Sequence, residues 1–250
     1  MNAPVADFVF RRIAAPKSGG YFEANKQFIA PLPIPDASEP DRAEVAARAE
    51  RLQDLYTQHR DLLAEIGRRM TVVPVRMQPD AWLFPDLPAM AELDEVAPQH
   101  LERVDRRAWA KHRRDEELNS RLEALGQALR PDVFLDATFE DGELRFLVDG
   151  VSVIDRMFLQ QQEGEFVLAQ WKLIASSFSI VEGTTGKKLA DALRKVALTA
   201  PNALREQIVE RQRELSEVEG AIRATEFEMN TSIYEIYGLS PDEIRLVEAG

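Results

Sequence analysis

The sequence predicts an α+β fold that is mostly helical, with long helices packed in an antiparallel bundle. Apolar residues recur at heptad-compatible spacing in residues 39–69, in residues 98–129 and from residue 202 onward, as in long helices that pack on one another. Between residues 133 and 169 the apolar residues instead alternate with polar ones, and pairs ending in glycine separate the runs. This change of period predicts a small antiparallel β-meander.

The composition restricts the class of protein. The 250 residues, 45% of them hydrophobic, are enough to form one large core or two small ones. Cysteine is absent, so a disulfide framework and a thiolate metal site are excluded. No segment approaches the roughly 18 consecutive apolar residues of a membrane span, and the start does not resemble a secretion signal. We therefore expect a soluble, cytoplasmic protein with no membrane partner.

The charge is acidic and unevenly distributed. The formal net charge is −12, and residues 131–250 hold 12 basic and 22 acidic side chains. Binding to a nucleic-acid backbone needs clustered lysine and arginine. The surface as a whole is therefore not expected to bind nucleic acid.

The N-terminal part predicts a β segment followed by a long helix. Residues 7–30 hold short apolar runs around a Ser18-Gly19-Gly20 break, which predicts a strand-turn-strand piece. Three prolines in residues 31–35 force an extended exit. Asp36 or Ser38 can then cap a helix over residues 39–69.

The middle of the chain predicts a connector, a second helical stretch and the meander. Residues 71–88 are rich in proline around Trp82 and predict a packed loop, and residues 89–129 predict helix with a break near Pro98. Strands are predicted at residues 134–139, 144–148, 151–159 and 165–169. Residues 171–178 fit either a strand or a helix.

The C-terminal part predicts more helix. Residues 186–196 favour a helix, and a long helix begins at Pro201-Asn202, with the helices at 39–69 and 98–129 as its expected partners. A short final helix follows Ser240, with Glu243 completing a capping box.

Motifs for catalysis are weak or missing. His59, His100 and His112 do not have the spacing of metal ligands and are interpreted as solvated. The stretch from Gly183 to Lys188 lacks the spacing of a phosphate-binding loop and favours a turn before a helix. No Asn-Pro-Pro-aromatic or Asp-Pro-Pro-aromatic tetrapeptide occurs.

A magnesium-dependent nuclease is one alternative. It would place an acidic residue on one strand and a Gln-X-Lys or Glu-X-Lys triplet on the next. Asp155, Glu143 and the Gln170-Trp171-Lys172 triplet are the residues that could take those places. Surface carboxylates of a solvated meander are the other interpretation of the same residues.

Both ends of the chain resemble one family. Residues 7–35, from Asp7-Phe-Val-Phe-Arg-Arg to Leu-Pro-Ile-Pro35, resemble the end of the target-recognition domain in type IIG-like adenine-N6 DNA methyltransferases of restriction-modification systems. Residues 229–248, with Ile-Tyr-Gly-Leu-Ser-Pro-Asp-Glu-Ile, are similar to the usual C-terminus of the same methyltransferases. The resemblance covers about 50 residues by specific motif, and the middle agrees with it only in its helix pattern.

The resemblance implies a domain organisation and a cofactor. Residues 1–38 would be the end of the recognition domain with its β remnant, 39–130 a helical spacer, 131–180 the meander, and 181–250 a helical region packing back on the spacer. In that family the catalytic tetrapeptide and the S-adenosylmethionine site lie upstream of the matching segment. The chain would then be a fragment or a split gene product without catalytic residues of its own.

The expected function is DNA target recognition in support of a methyltransferase or restriction catalytic subunit. Cations, an amide and an aromatic ring gather near the N-terminus, and we expect them to contact double-stranded DNA. These residues are Arg11, Arg12, Lys17, Tyr21, Asn25 and Lys26. Ordinary strand-end charges and core aromatics are the alternative interpretation. At the level of the whole chain, a helical protein–protein interaction module without a DNA role is the alternative function.

Overall fold

A computed structural model of the chain describes residues 4–15, 22 and 25–249. Its residues form two compact units, Met1–Asp61 with Glu214–Gly250 (unit 1) and Leu62–Arg213 (unit 2). The helices are α1 (Pro4–Ile13), α2 (Lys26–Ile29), α3 (Glu39–Met70), α4 (Asp80–Leu83), α5 (Met90–Val96), α6 (Arg103–Ala128), α7 (Gln161–Ser177), α8 (Gly186–Arg194), α9 (Asn202–Ile236) and α10 (Pro241–Glu248). The strands are β1 (Arg76–Met77), β2 (Leu135–Glu140), β3 (Glu143–Val148), β4 (Val151–Phe158) and β5 (Lys195–Val196). The mostly helical α+β fold class is confirmed.

The described part of the N-terminal segment is helical, so the strand prediction there is wrong. Residues 4–13 form α1, in which Val5 and Phe10 are buried and Arg11 pairs with Asp7 one turn earlier, at 2.6 Å. Short apolar runs fit a helix face as well as a strand, and here packing decides in favour of the helix. The predicted turn at Ser18-Gly19-Gly20 lies outside the described residues.

Helices α3 and α9 pair antiparallel, as the heptad spacing predicts. In unit 1, Arg48 contacts Ser232 at 3.2 Å and Tyr56 contacts Glu226 at 2.5 Å, so the numbering of α9 falls as that of α3 rises. In unit 2, Arg211 Nε of α9 lies 3.4 Å from Glu65 Oε1 of α3.

The meander in unit 2 is a three-stranded antiparallel sheet in the order β2-β3-β4. Its two hairpins turn at Asp141-Gly142 and Asp149-Gly150, where both residues of each pair have positive φ. Paired left-handed residues give the tight turn that matches the twist of the strands, which is why Asp-Gly is favoured there. Three of the four predicted strands and two of the three predicted turns are confirmed, and the third turn, at Glu163-Gly164, is wrong because these residues lie in α7.

The predicted fourth strand at residues 165–169 is wrong, because these residues lie inside α7. Every residue from Gly164 to Lys172 is buried, so this stretch has no exposed face, and its spacing of apolar residues does not indicate a helix. Gly164 leaves room for the ring of Phe139 on β2, since a Cβ there would lie 2.2 Å from that ring.

The leucine stripe of α6 packs in the core of unit 2. Leu118, Leu122, Leu125 and Leu129 join the hydrophobic cluster formed by the sheet, α7 and α8. The connector before α5 belongs to the same core: Trp82 meets Trp171 edge to face at 6.2 Å between ring centroids. The connector also supplies β1, which pairs with β5, so it is more regular than the predicted loop.

Across residues 4–15, 22 and 25–249, no helix combines the length and apolar character needed to cross a membrane.

Candidate nucleic-acid interface

The predicted DNA-contact residues lie on two short helices of unit 1. Arg11 and Arg12 are in the last turn of α1, and Asn25 and Lys26 are at the start of α2. Lys17 and Tyr21 fall outside the residues that the structure describes. Helices α1 and α2 contact each other, so the four described residues lie on neighbouring elements of unit 1.

Arg11 and Arg12 are exposed but partly engaged within α1. Arg11 Nε donates to Asp7 at 2.6 Å, and its guanidinium carbon lies 6.0 Å from the ring centre of Phe22. Arg12 donates to the carbonyl of Phe8 at 3.0 Å and covers the ring of the same residue. Cations in the last turn complement the helix dipole. Both arginines therefore stabilise α1 while keeping most of their charge at the surface.

Asn25 has a structural role that the sequence interpretation missed. Its Oδ1 accepts a hydrogen bond from the backbone N–H of Gln27 at 3.0 Å, which makes Asn25 the N-cap of α2. The amide oxygen is therefore used in capping and does not point to base recognition. Lys26 is exposed and has no ion pair with any described residue.

Helix α1 packs on the C-terminal part of the chain. Val5 is buried against Tyr234 and Val247 in a small hydrophobic cluster, which Phe8 and Ile244 complete at its edge. Burial, together with the carboxylate of Glu248, raises the pKa of Tyr234. Apolar contact thus fixes the helix that carries Arg11 and Arg12 on α9 and α10.

A hydrogen bond joins the proline-rich exit to the same region. Tyr237 Oη donates to the carbonyl oxygen of Pro33 at 2.7 Å. The next residue, Gly238, adopts a φ of 64° and ends the long helix, and Ser240 then caps α10 in a capping box with Glu243. Both segments that resemble the methyltransferase family therefore contact each other within unit 1.

Unit 2 contains a cleft of about 340 Å³ lined by Asp86, Arg121, Ser152 and Asp155 among others. Asp86 binds Arg121 closely and lies 3.3 Å from Arg156. The hydrogen bond from Arg121 lowers the pKa of Asp86 despite the opposing effect of burial. Ser152 donates its hydroxyl to the carbonyl of Ile154 at 3.1 Å. The cations and the hydroxyl of this cleft are therefore engaged in internal contacts.

The strand placement that the nuclease alternative assumes is wrong for the Gln170-Trp171-Lys172 triplet. Gln170 and Lys172 lie on α7 and not on a strand. Lys172 Nζ pairs with Asp136 at 2.7 Å, and the Gln170 amide holds the backbone of Ala197 through both its oxygen and its nitrogen. Glu143 binds Arg145, which lowers the pKa of the Glu143 carboxyl. Within the described residues, no group of three or more histidine or acidic side chains could hold a metal ion.

The histidines differ in their surroundings. His59 is half-buried, and its Nε2 lies 3.3 Å from Glu219 Oε1, so it takes part in the contact between α3 and α9 and is not simply solvated. His112 lies 3.2 Å from Glu116 on the surface of α6, and His100 is exposed.

The glycines that resembled a phosphate-binding loop serve helix packing. Thr185 caps α8, and Gly186 follows it at the close approach of α8 to α6. A Cβ at Gly186 would lie 2.0 Å from the carbonyl oxygen of Leu122 and 2.6 Å from the nitrogen of Gly126. The predicted turn before a helix is confirmed, and glycine is required there by the neighbouring helix.

A basic segment at the start of α6 was missed at the sequence level. Residues 103–114 hold six basic side chains and one acidic side chain. The signal was present, but a count over residues 41–130 hid it, because that longer stretch holds 15 basic and 17 acidic residues. A count over a window of one helix would have found the segment.

No protein-family model, no curated protein and no solved structure matches this chain.

Proposed function

We propose that this chain takes part in DNA target recognition by a site-specific adenine-N6 DNA methyltransferase of a restriction-modification system. It acts as an accessory region, and the methyl transfer itself is carried out by another region or polypeptide. Its partners are double-stranded DNA and the methyltransferase or restriction catalytic subunit.

One observation carries this proposal: the two segments that resemble the family from opposite ends of the chain pack together. Phe8 of the first segment packs in one cluster with Tyr234 and Val247 of the second, together with Val5, which lies two residues before the first segment. Tyr237 of the second segment also donates a hydrogen bond to Pro33 of the first. Two chance resemblances would have no reason to lie in one hydrophobic cluster. Their contact supports a shared origin in one structural element of that family.

The surface of this element supplies the charges that the role needs. Arg11, Arg12 and Lys26 are exposed, and phosphate contacts from such residues position a protein on DNA without reading its sequence. Asn25 shapes α2 by capping it. The surface formed by α1 and α2 is thus assigned to contact with the phosphate backbone of DNA, while recognition of the bases requires the catalytic region.

The described residues do not fit S-adenosylmethionine. A site of that kind needs a parallel strand that leads through a glycine-rich turn into a helix. Here β2, β3 and β4 are antiparallel, and Gly186 packs against α6. The cofactor is therefore assigned to the catalytic region that the resemblance implies.

The test is binding of a labelled duplex library to the chain, alone and mixed with the upstream methyltransferase region that the resemblance implies. We expect the mixture to gain sequence-selective, salt-dependent binding. The double variant Arg11→Ala, Lys26→Ala should reduce the slope of log K against log salt concentration by about 1 for each phosphate that is no longer neutralised. Arg42→Ala with Arg60→Ala is the matched control, because both are exposed arginines of unit 1 that lie on α3, outside the surface formed by α1 and α2. Selectivity that does not change when the chain is added would contradict the proposal.

A second candidate function, protein association without DNA, is favoured by one feature of unit 2. Phe134 and Val151 are 69% and 66% exposed and lie at the same end of the sheet. Exposed apolar side chains that lie together favour a protein partner. Concentration-dependent, salt-independent self-association without DNA, abolished by Phe134→Ser, would support this function in place of the first.

A further inference from the structure

We propose that the first half of α6 is a separate nucleic-acid-contacting surface in unit 2, which binds the phosphate backbone of duplex DNA without reading its sequence. This surface consists of Arg103, Arg107, Lys111 and Arg114, and we call it the α6 basic stripe. The inference rests on charges in unit 2 alone and does not depend on the role proposed for Arg11 and Lys26.

The local charge is opposite to that of the chain. Six basic side chains and one acidic side chain lie in residues 103–114, although the formal net charge of the chain is −12. The acidic residue, Asp105, is two positions from both Arg103 and Arg107, and residues two apart on a helix do not face each other. Asp115 and Glu117 lie one turn after Lys111 and Arg114, but Glu117 pairs with Arg121, and neither carboxylate forms an ion pair with the stripe.

Two of the six cations have partners, and one of them, Arg106, connects α6 to α5. Arg106 reaches back to the carbonyl of Asp94 on α5, and Arg113 pairs with Glu116 at 2.9 Å. The four residues of the stripe make no ion pair with any residue in the described part of the chain. Arg103, Arg107 and Lys111 are exposed, while Arg114 is half-buried. A fixed helix thus presents cations that are available to an external anion.

The spacing places the four cations on one side of the helix. Steps of four, four and three residues keep side chains on the same face. With a rise of about 1.5 Å per residue, the stripe extends over roughly 16 Å. Duplex DNA presents about one negative charge for every 1.7 Å of its axis, so a stripe of this length meets several phosphates at once.

The chemistry of the side chains suits a row of phosphates. Three of the four residues are arginine, whose planar guanidinium can donate two parallel hydrogen bonds to a phosphate, as it can to a carboxylate. The second half of α6 carries its leucines into the core of unit 2, so the helix is held by packing rather than by the ligand. A helix fixed in this way loses little conformational entropy on binding.

The experiment compares two triple variants of the full chain in binding to a random-sequence duplex across a salt series. The test variant is Arg103→Gln, Arg107→Gln and Lys111→Gln, and the control is Arg42→Gln, Arg60→Gln and Arg245→Gln. Both change the charge by the same amount, but each control arginine already pairs with a nearby aspartate. We expect the test variant to lower the slope of log K against log salt by about 3, and the control to leave it nearly unchanged.

Several results would overturn the inference. It is wrong if the full chain does not bind duplex DNA at low ionic strength, or if both variants lose the same slope. It is also wrong if polyglutamate displaces the duplex when both are added at the same total charge, and if the test variant loses affinity for polyglutamate and for the duplex to the same extent. The stripe would then fit an acidic protein. If only Arg11→Ala and Lys26→Ala reduce binding, the surface in unit 1 is supported and the α6 basic stripe is not.

Discussion

Tyr237 donates its hydroxyl hydrogen to the carbonyl oxygen of Pro33 at 2.7 Å, across 204 residues of sequence. Residues 33–38 have no regular secondary structure, so their backbone groups depend on contacts of this kind. The ring of Tyr237 also packs at the edge of the cluster that holds Val5. One side chain therefore links the proline-rich exit to the C-terminal helices.

Tyr237→Phe should loosen the proline-rich exit without unfolding unit 1. The variant keeps the ring contacts and loses one hydrogen bond, which is worth about 0.5–1.5 kcal/mol. Amide hydrogen exchange at Leu32 and Ile34 should become faster, while exchange in α9 stays the same. Tyr237→Ala, which also removes the ring, should cost more in the free energy of unfolding. Unchanged exchange in Tyr237→Phe would show that the exit is held by other contacts.

Gly186→Ala should destabilise unit 2, because α8 and α6 would have to move apart to make room for the added methyl group. The added Cβ would lie 2.0 Å from a backbone oxygen, and forcing an extra methyl group into a packed site costs about 1–3 kcal/mol. Chemical denaturation of the variant and the natural chain measures this difference.

Gly220→Ala is the matched control for this substitution. Gly220 lies inside α9 with nothing within 4 Å of an added Cβ, so alanine should stabilise the helix by up to about 1 kcal/mol. The two substitutions are chemically identical and should change stability in opposite directions. A stabilising Gly186→Ala would mean that the helices are not in close contact.

The elements that were predicted well have signals that do not depend on packing. The capping box of Ser240 and Glu243 specifies the start of α10, and Asp-Gly pairs specify both hairpins. The elements that were predicted wrongly have no such signal. Residues 165–169 are buried on all sides within α7, and α1 is a short helix whose apolar face is defined only by contact with α9 and α10.

The candidate sites show a similar division. The sequence identifies which residues carry charge, but tertiary contacts decide which charges are available. Asn25, which is predicted to contact DNA, also caps α2 through its side-chain oxygen. Asp86, which is distant in sequence, forms ion pairs with both Arg121 and Arg156. Arg107 and Lys111 have no such ion pair among the described residues. No pattern within a short segment could distinguish the arginines that pair with Asp86 from the cations of α6.

The ion pair between Glu165 and Arg213 should make the stability of unit 2 depend on pH. The carboxylate is buried and receives two hydrogen bonds from the guanidinium, at 3.0 and 2.8 Å. Burial alone would raise the pKa of Glu165, but the bonds from Arg213 and Gln161 outweigh it and lower the pKa. A carboxyl with a lowered pKa in the folded state stabilises the fold above its unfolded pKa of about 4.3, and this contribution is lost as the pH falls through the folded pKa.

Arg213→Gln should therefore reduce the free energy of unfolding at neutral pH and have little effect in acid. The expected loss is about 1 kcal/mol, less than for a buried charged hydrogen bond, because Arg213 is largely exposed to solvent. Arg205→Gln, which makes the same change of charge nearby, is the control and should have little effect. Urea denaturation at several pH values measures both. A loss that persists unchanged below the folded pKa of Glu165 would contradict the assignment.

The bulge in β4 predicts which of two variants at position 156, glycine or alanine, is the more stable. Leu144 pairs with Met157 and Phe146 with Ile154, so two residues of β4, Asp155 and Arg156, lie opposite one residue of β3. Arg156 has a φ of 60°, which costs a non-glycine residue about 1–2 kcal/mol, and its N–H donates to Glu143 Oε1 at 2.7 Å.

Arg156→Gly should therefore be more stable than Arg156→Ala by about 1 kcal/mol, since both lose the exposed ion pair with Asp86 but only glycine relieves the positive φ. In an ordinary strand the order is reversed, because glycine costs about 0.5–1 kcal/mol relative to alanine. Ser152 on the same strand has no positive φ, so Ser152→Gly should be less stable than Ser152→Ala. Thermal unfolding of the four variants measures both orders. If glycine is the less stable residue at position 156 as well, β4 continues without the bulge and Glu143 does not hold the N–H of Arg156.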